Sequence, residues 1–387
     1  MTTSSTTPPK QPAPYALEDL HMIEATTPDL IQKTWANNWE EWAKGVEKPT
    51  YFEREVVLSK TNFSNNQKIR TWILVPKSFG TNSDKPDDLE QILSAVETYE
   101  RPGIVATVES GLQDVSSFSV ASVYTLAKYR RYGYGSLLIR LLWEKIAELG
   151  GSFSFLYSDV GPTFYGQVGW TPRRTDEIKI PTSYALPSVP LPTDEPLEQI
   201  TDETIDPLVE YDHQLLRQLL QQRLATLPAA TKTLVAVRPE PNCFRWLHTR
   251  GQFNAHLKNP TRDPADLKIT TLGVKDSQSN DNFVIWYHDF FADQLLILRW
   301  RLTGEPETDP RLATLGLGMV KACQDEARRW NLSKVNFWNP DETFSKLVGR
   351  KIETRQDSIC SLGLVQVPAQ SDPETVEWVL NEHYSCI

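Results

Sequence analysis

Two stretches of this chain repeat one another in order, and that echo constrains the fold more than any other feature. In the first half, RRYGYGSLL (130–138) leads through a leucine-rich run to SFSFLYSD (152–159) and TFYGQVGW (163–170). In the second half, QLLILRWRL leads to ATLGLGMV, KACQDEARRW, KVNFWN and TFSKLVGR in the same order. Gly133 and Gly135 align with Gly316 and Gly318, and TFYGQVG aligns with TFSKLVG. A glycine turn, helix, strand and closing T-F-x-x-x-V-G recurring together predict two copies of one fold. The substitutions between copies carry information: Arg130 corresponds to Ala313, and Tyr165 to Ser345. The second copy is expected to keep the backbone turn and to lose the charged and phenolic side chains, as a duplicate without chemistry would.

At 387 residues the chain is too long for one ordinary core, which agrees with two domains. The expected division is a disordered tail at 1–14, a first domain at 15–180, a linker at 181–197 crowded with prolines, and a second domain at 198–387. Alternating apolar residues predict strands at LHMIEAT, YFEREVVLSKT, IRTWILVP, GIVATVES and SVASVYTL. Residues 79–100 read as a polar insertion with one or two helical turns. Leu137, Leu138, Leu141, Leu142 and Ile146 recur at helical spacing, and Gly150-Gly151 stops that helix. QLLRQLLQQRLATL reads as an amphipathic helix, and NFVIWYHDFF with QLLILRWRLT as a hairpin. The class is therefore α+β, with helices on mixed sheets.

A net charge of -10 makes the molecule a poor partner for nucleic acid or anionic lipid. No apolar run reaches membrane-spanning length. Cys243, Cys323, Cys360 and Cys386 are scattered without C-x-x-C or paired histidine spacing, so reduced thiols are expected and no metal site. The opening MTTSSTTPPKQPAP lacks an apolar core and arginine, which argues against a secretory or mitochondrial signal. A cytoplasmic location is expected.

The turn YRRYGYGS (129–136) precedes a helix, where free N–H groups and the helix dipole favour an anion. Flanking arginines add charge-assisted bonds to phosphate. A P-loop fails because no Gly-Lys-Ser/Thr follows. A dinucleotide fingerprint fails because Leu138 stands where its third glycine belongs.

The wider stretch VYTLAKYRRYGYGSLL resembles the acetyl-CoA signature R-x-x-G-x-G/A of the GCN5-related N-acetyltransferases (GNAT), with Arg130, Gly133 and Gly135 at its positions. SDVGPTFYGQVGW is similar to that family's second element, Y-x-x-x-G-[FW], with Tyr165, Gly169 and Trp170. The resemblance covers about residues 15–180 and implies a GNAT fold followed by a degenerate GNAT-like C-terminal domain. It implies acetyl-CoA as cosubstrate, with the amides of Arg131, Tyr132, Gly133, Tyr134, Gly135 and Ser136 around the pyrophosphate. Arg130 would assist. Val123, Tyr124 and Thr125 would pair with pantetheine as an added strand, and Ser158 would be a further cofactor contact. Two central strands would splay to admit the thioester.

YFERE, VYTLAKYRRYGYG, SDVGPTFYGQVGW, FRWLHTRGQF and WNLSKVNFWNPDETF together resemble the fungal lysine N6-acetyltransferases of lysine degradation. That likeness implies free lysine as acceptor. Only roughly one lysine side chain in two thousand is neutral at pH 7, so a base or water relay must take its proton. A backbone N–H near Thr125 would stabilise the oxyanion. Tyr165 is the expected general acid to the thiolate, and Glu109 in ATVESG the expected base or amine-binding carboxylate. Asp159 and Asp114 are further candidates for holding a cation. His248 and the terminal carboxylate of Ile387 are lesser candidates, a packed histidine being the commoner outcome. Another acceptor amine, a protein lysine or a CoA-binding module without catalysis remain as alternatives.

Overall fold

The structure, a computed structural model, describes residues 12–43, 45–65, 68–80, 89–187, 197–227, 233–366 and 375–386. Most of the expected tail, the core of the proline-rich stretch and Ile387 lie outside the described residues.

In chain order the first half holds β1 (Leu20–Glu24), α1 (Pro28–Trp42), α2 (Lys48–Ser59), β2 (Ile69–Pro76), β3 (Ser94–Thr107) and β4 (Gly111–Thr125). It continues with α3 (Tyr134–Glu148), β5 (Gly151–Ser158), α4 (Thr163–Gly166), β6 (Thr171–Pro172) and β7 (Asp176–Pro181). The second half holds β8 (Leu197–Ile200), α5 (Ile205–Thr226), β9 (Thr233–Val237), α6 (Pro241–Lys258), β10 (Gly273–Asp276), β11 (Phe283–Asp289) and β12 (Gln294–Arg301). It ends with α7 (Pro310–Arg329), β13 (Lys334–Trp338), α8 (Glu342–Val348), β14 (Glu353–Thr354), β15 (Ile359–Leu364) and β16 (Val376–Trp378).

Two mixed sheets result. One runs β1-β2-β3-β4-β5-β15-β6, with β9 on the far half of β3 and β16 beside β9. The other runs β14-β7-β13-β12-β11-β10-β8. The sheets exchange strands: β7 precedes the prolines yet pairs with β13, while β9, β15 and β16 follow them yet join the first sheet. One apolar core consequently spans both, with Phe153 and Phe155 in the same cluster as Trp286, Leu296 and Phe337.

Helix α3 forms as its leucine spacing predicts. Tyr134, Leu137, Leu138, Leu142 and Ile146 are buried on one face, each leucine or isoleucine contributing about 2 kcal/mol. The strand expected at YFEREVVLSKT is instead α2: Pro49 sits in its first turn, and Tyr51, Arg54 and Leu58 are buried at spacings of three and four. The insertion expected through 100 ends earlier, because Ser94–Glu100 is the first half of β3 and pairs with β2.

The echo is structural. β4 and β5 are parallel and joined by α3; β12 and β13 are parallel and joined by α7. The turn, however, survives in one copy only. Gly316 and Gly318 lie inside continuous α7, where a Cβ on Gly316 would approach Leu302 and Leu347 to 2.8 Å. That glycine permits close helix packing. It makes no turn.

Candidate active site

Antiparallel β3 and parallel β5 both flank β4, but β5 leaves it early. The β4–β5 register ends at Val120↔Leu156, while β4 continues to Thr125 still paired to β3. Ser122 has a left-handed φ of 54°, next to the register shift between Ala95 and Glu97. The β5-facing edge of Val123, Tyr124 and Thr125 is thereby opened. Ser94 holds this segment in place, donating to the Tyr124 carbonyl at 2.7 Å and lying 2.9 Å from Thr125 Oγ1.

The loop into α3 is shaped for an anion. Arg131 (φ 71°) and Gly133 (φ 89°) are both left-handed, and the N-cap Gly133 provides no side-chain cap. Gly135 lets the helix approach β4: a Cβ there would lie 3.1 Å from Thr125 Oγ1. Helix α7 begins seven residues earlier relative to the aligned glycines. Its own N-terminus is capped by the Asp309 carboxylate, which accepts from Arg311 N and Leu312 N. An acyl-CoA pyrophosphate fits the loop before α3, and the second copy has continuous helix at the aligned position.

The predicted cofactor residues divide by side chain. Arg130 donates to the Thr125 carbonyl at 3.1 Å and to Glu41 Oε1 at 2.7 Å, so its guanidinium braces α1 against β4. Tyr134 is 1% exposed and bonds both the N–H and the carbonyl of Tyr15. Its ring packs with the half-buried ring of Tyr132. Ser136 is exposed in the first turn of α3. The Ser158 hydroxyl donates to the Gly161 carbonyl at 2.8 Å and accepts from Val160 N, closing its own turn.

Beyond the splay is a cavity of about 300 Å³. Ser119–Val123 of β4 and Leu156-Tyr157 of β5 form one side, with Tyr165 at the edge. The second half covers it with Arg250 and Asn254 of α6, Tyr287 and Asp289 of β11, and His383 and Cys386 near the C-terminus. Tyr165 is buried against Phe164 and Trp170. Burial, then the charge of Asp159, pushes its phenol well up, so it carries its proton at neutral pH. Asp159 borders the cavity, its Oδ1 accepting from Ser358 N at 2.9 Å.

Glu109 does not reach this cavity. It lies exposed in the turn between Thr107 and Gly111, at the far end of the β3–β4 hairpin from Tyr124. Asp114 is also remote, paired with Arg217 at 2.6 Å. His248 is packed: its Nε2 lies 2.8 Å from the Trp286 carbonyl oxygen, and burial lowers its pKa to about 4.

A carboxylate behind the splay, Glu97, has an Oε2 that accepts from Ser122 Oγ at 2.8 Å and Tyr99 OH at 3.2 Å. Burial, then Glu55, holds its pKa above the ordinary value. Its signal was a charge inside the apolar run ILSAVETY. Arg250 was missed beside His248, although two residues are about 200° apart around a helix and face opposite ways. Burial opposes the charge of Arg250, but Tyr287, Asp289, Glu55 and Cys386 together outweigh it and raise its pKa. Arg54, 4% exposed, adds a second guanidinium to the wall and bonds Glu55 at 2.8 Å. His383 completes it as a neutral imidazole, burial and then Arg355 lowering its pKa to about 3.

Residues 183–387 match the family model described as the LYC1 GNAT-like C-terminal domain. A protein of Yarrowia lipolytica named lysine acetyltransferase is 22% identical over 91% of this chain and 97% of its own length. An uncharacterized protein of Saccharomyces cerevisiae is 22% identical over 95% of this chain and 98% of its own. Among solved structures, a GCN5-related N-acetyltransferase from Kribbella flavida superposes with a TM-score of 0.51 at 13% identity, over 89% of this chain and 71% of that one. A probable N-acyltransferase from Enterococcus faecalis gives 0.52 at 12% identity, over 89% and 72%. The chain belongs to the LYC1 GNAT-like family, and so to the GNAT acetyltransferases.

Proposed function

We propose that the protein transfers acetyl from acetyl-CoA to the side-chain amine of free L-lysine, giving N6-acetyl-L-lysine. The observation that carries this reading is the covered cavity of about 300 Å³ whose wall combines Arg250 and Arg54 with Asp289. A free amino acid presents a carboxylate and an α-ammonium beyond its side chain, and such a wall complements both. A protein lysine needs an open groove instead. A polyamine offers the arginines nothing to bind. The name of the Yarrowia lipolytica relative, lysine acetyltransferase, supports a lysine amine as the acceptor, and lysine degradation is the proposed setting, in the cytoplasm.

Acetyl-CoA, when bound, supplies an activated acyl group whose thiolate leaves on acyl transfer. The loop 131–136 anchors its anionic end, and the open edge of Val123–Thr125 directs the acyl end into the splay. Arg250 takes the lysine carboxylate and Asp289 its α-ammonium. Ser122 accepts a proton from the side-chain ammonium as its own passes to Glu97, leaving a neutral amine. A backbone N–H of the bulged β4 segment stabilises the oxyanion. Tyr165 gives its proton to the departing thiolate, and the second proton lost from the nitrogen as the amide forms restores the phenol.

Initial rates of thiol release with lysine, lysinamide, cadaverine and a lysine-containing peptide test this. Lysine should exceed the other three by at least tenfold in kcat/KM. Equal rates with the peptide or cadaverine would replace the acceptor, and release with none would leave a CoA-binding module.

A further inference from the structure

The second copy of the repeat also has a cleft, and it is the larger. The β12–β13 register ends at Leu296↔Asn336, while β12 runs on to Arg301 and β13 to Trp338. This is the same early parting that β4 and β5 show after Val120 and Leu156. The cavity between the parted strands is about 620 Å³. Phe337, Trp338 and Phe344 line it. They correspond, 180 positions on, to Tyr157, Ser158 and Phe164 around the first cleft.

This cleft is rebuilt against acyl-CoA. Gly316 and Gly318 lie within α7, which begins at Pro310, so the helix runs through the position where α3 starts and leaves no free N–H groups there for a pyrophosphate. Trp300 N, on the parted edge, donates to Glu382 Oε2 at 2.8 Å, so a side chain takes the place of an added strand. What replaced the cofactor contacts is cationic. Arg173, Arg174, Arg223, Arg299 and Arg301 line the cavity with Asp341, Glu377 and Glu382, five cations against three carboxylates among the described residues.

Arg299, Arg174 and Arg223 are each paired with carboxylates. Arg299 is held by Asp212 at 2.8 and 2.9 Å and by Glu382 at 2.7 Å. Arg174 bonds Asp176 at 2.7 Å and the Pro340 carbonyl, and Arg223 bonds Glu377. Arg301 differs: its Nε is buried with no hydrogen-bond partner. Burial, then the neighbouring Arg299, lowers its pKa in spite of the opposing charges of Asp212 and Asp281. Trp378 Nε1 and Asn381 Oδ1, on residues each 8% exposed in the same wall, also have no partner. Polar groups buried this way are normally satisfied.

We propose that the parted-strand cleft of the second copy is a binding site for a small aromatic anion, distinct from the acetyl-CoA site. Arg301 binds its charged group. Phe337, Trp338, Phe344 and Trp378 enclose its ring.

Calorimetry at constant ionic strength on the full chain tests this with phenyl phosphate, benzoate and inorganic phosphate. Saturable binding of phenyl phosphate or benzoate is expected, at least tenfold tighter than inorganic phosphate. Arg301→Gln should weaken it tenfold or more, and saturating CoA should leave it unchanged. No saturable heat, equal affinity for inorganic phosphate, indifference to Arg301→Gln or displacement by CoA would each overturn the proposal. Should Arg301→Gln not fold, Arg174→Gln on the exposed rim is judged by the same tenfold criterion.

Discussion

Ser122 Oγ donates to Glu97 Oε2 at 2.8 Å, across the bulge where β4 loses its pairing with β5. The bond joins a residue lining the acceptor cavity to a carboxylate that the cavity itself does not reach. Glu97→Gln keeps the shape and removes the proton acceptor. It should lower kcat about 100-fold near neutral pH with the KM for acetyl-CoA unchanged. Because burial raises the Glu97 pKa, wild-type kcat should rise with pH as that carboxylate ionises. An identical pH–rate profile in the variant removes Glu97 from proton transfer.

Tyr165 is buried, and its phenol holds its proton at neutral pH. Tyr165→Phe should lower kcat by about 100-fold or more, leaving the KM for acetyl-CoA within a few-fold. Steady-state thiol release measures both. Unchanged kcat would make Tyr165 a packing residue.

Arg250 is assigned to the acceptor carboxylate, so its effect should depend on the acceptor. Arg250→Gln should raise the KM for lysine about 10- to 100-fold, the loss expected for one charge-assisted hydrogen bond. Activity with cadaverine, which has no carboxylate, should change less than threefold. Equal losses with both acceptors would point to general damage.

Gly133 stands at φ 89°, a conformation costing a β-branched residue about 1–2 kcal/mol. Gly133→Val should weaken CoA binding at least tenfold, while the backbone strain should lower the melting temperature by only a few degrees. Calorimetry with CoA and a thermal melt separate the two.

His248 provides a pH test of the fold. Its folded pKa, about 4, lies below the unfolded value of about 6.5. Its contribution to stability is therefore complete above pH 6.5 and is lost as pH falls toward 4. Between pH 7.5 and 5, denaturant titrations of His248→Gln should show a smaller loss of stability than wild type. An equal loss would mean that His248 is protonated in the native state.

What the sequence made legible was local and repeated. The glycine loop, the face of α3 and the paired order of strand, helix and strand are written in residues close together in the chain. Hidden were features that depend on the other half. Strands β9 and β15 join the first sheet from beyond residue 230, and no local pattern reports that pairing. Arg250 and Asp289 reach the cavity only because α6 and β11 cover it. Glu109 was misplaced by two residues of strand length: β3 ends at Thr107, which puts the glutamate on the turn. The α2 segment misled because Val56 and Val57 favour a strand locally, whereas packing of Tyr51, Arg54 and Leu58 decides for helix.

Product identification by NMR tests the transfer most directly. Purified protein is given acetyl-CoA and free L-lysine, and the thiol released is counted against acetylated lysine. One N6-acetyl-L-lysine per thiol is the expected result. Thiol release without acetyl-lysine, or acetyl found on the α-nitrogen, would contradict it.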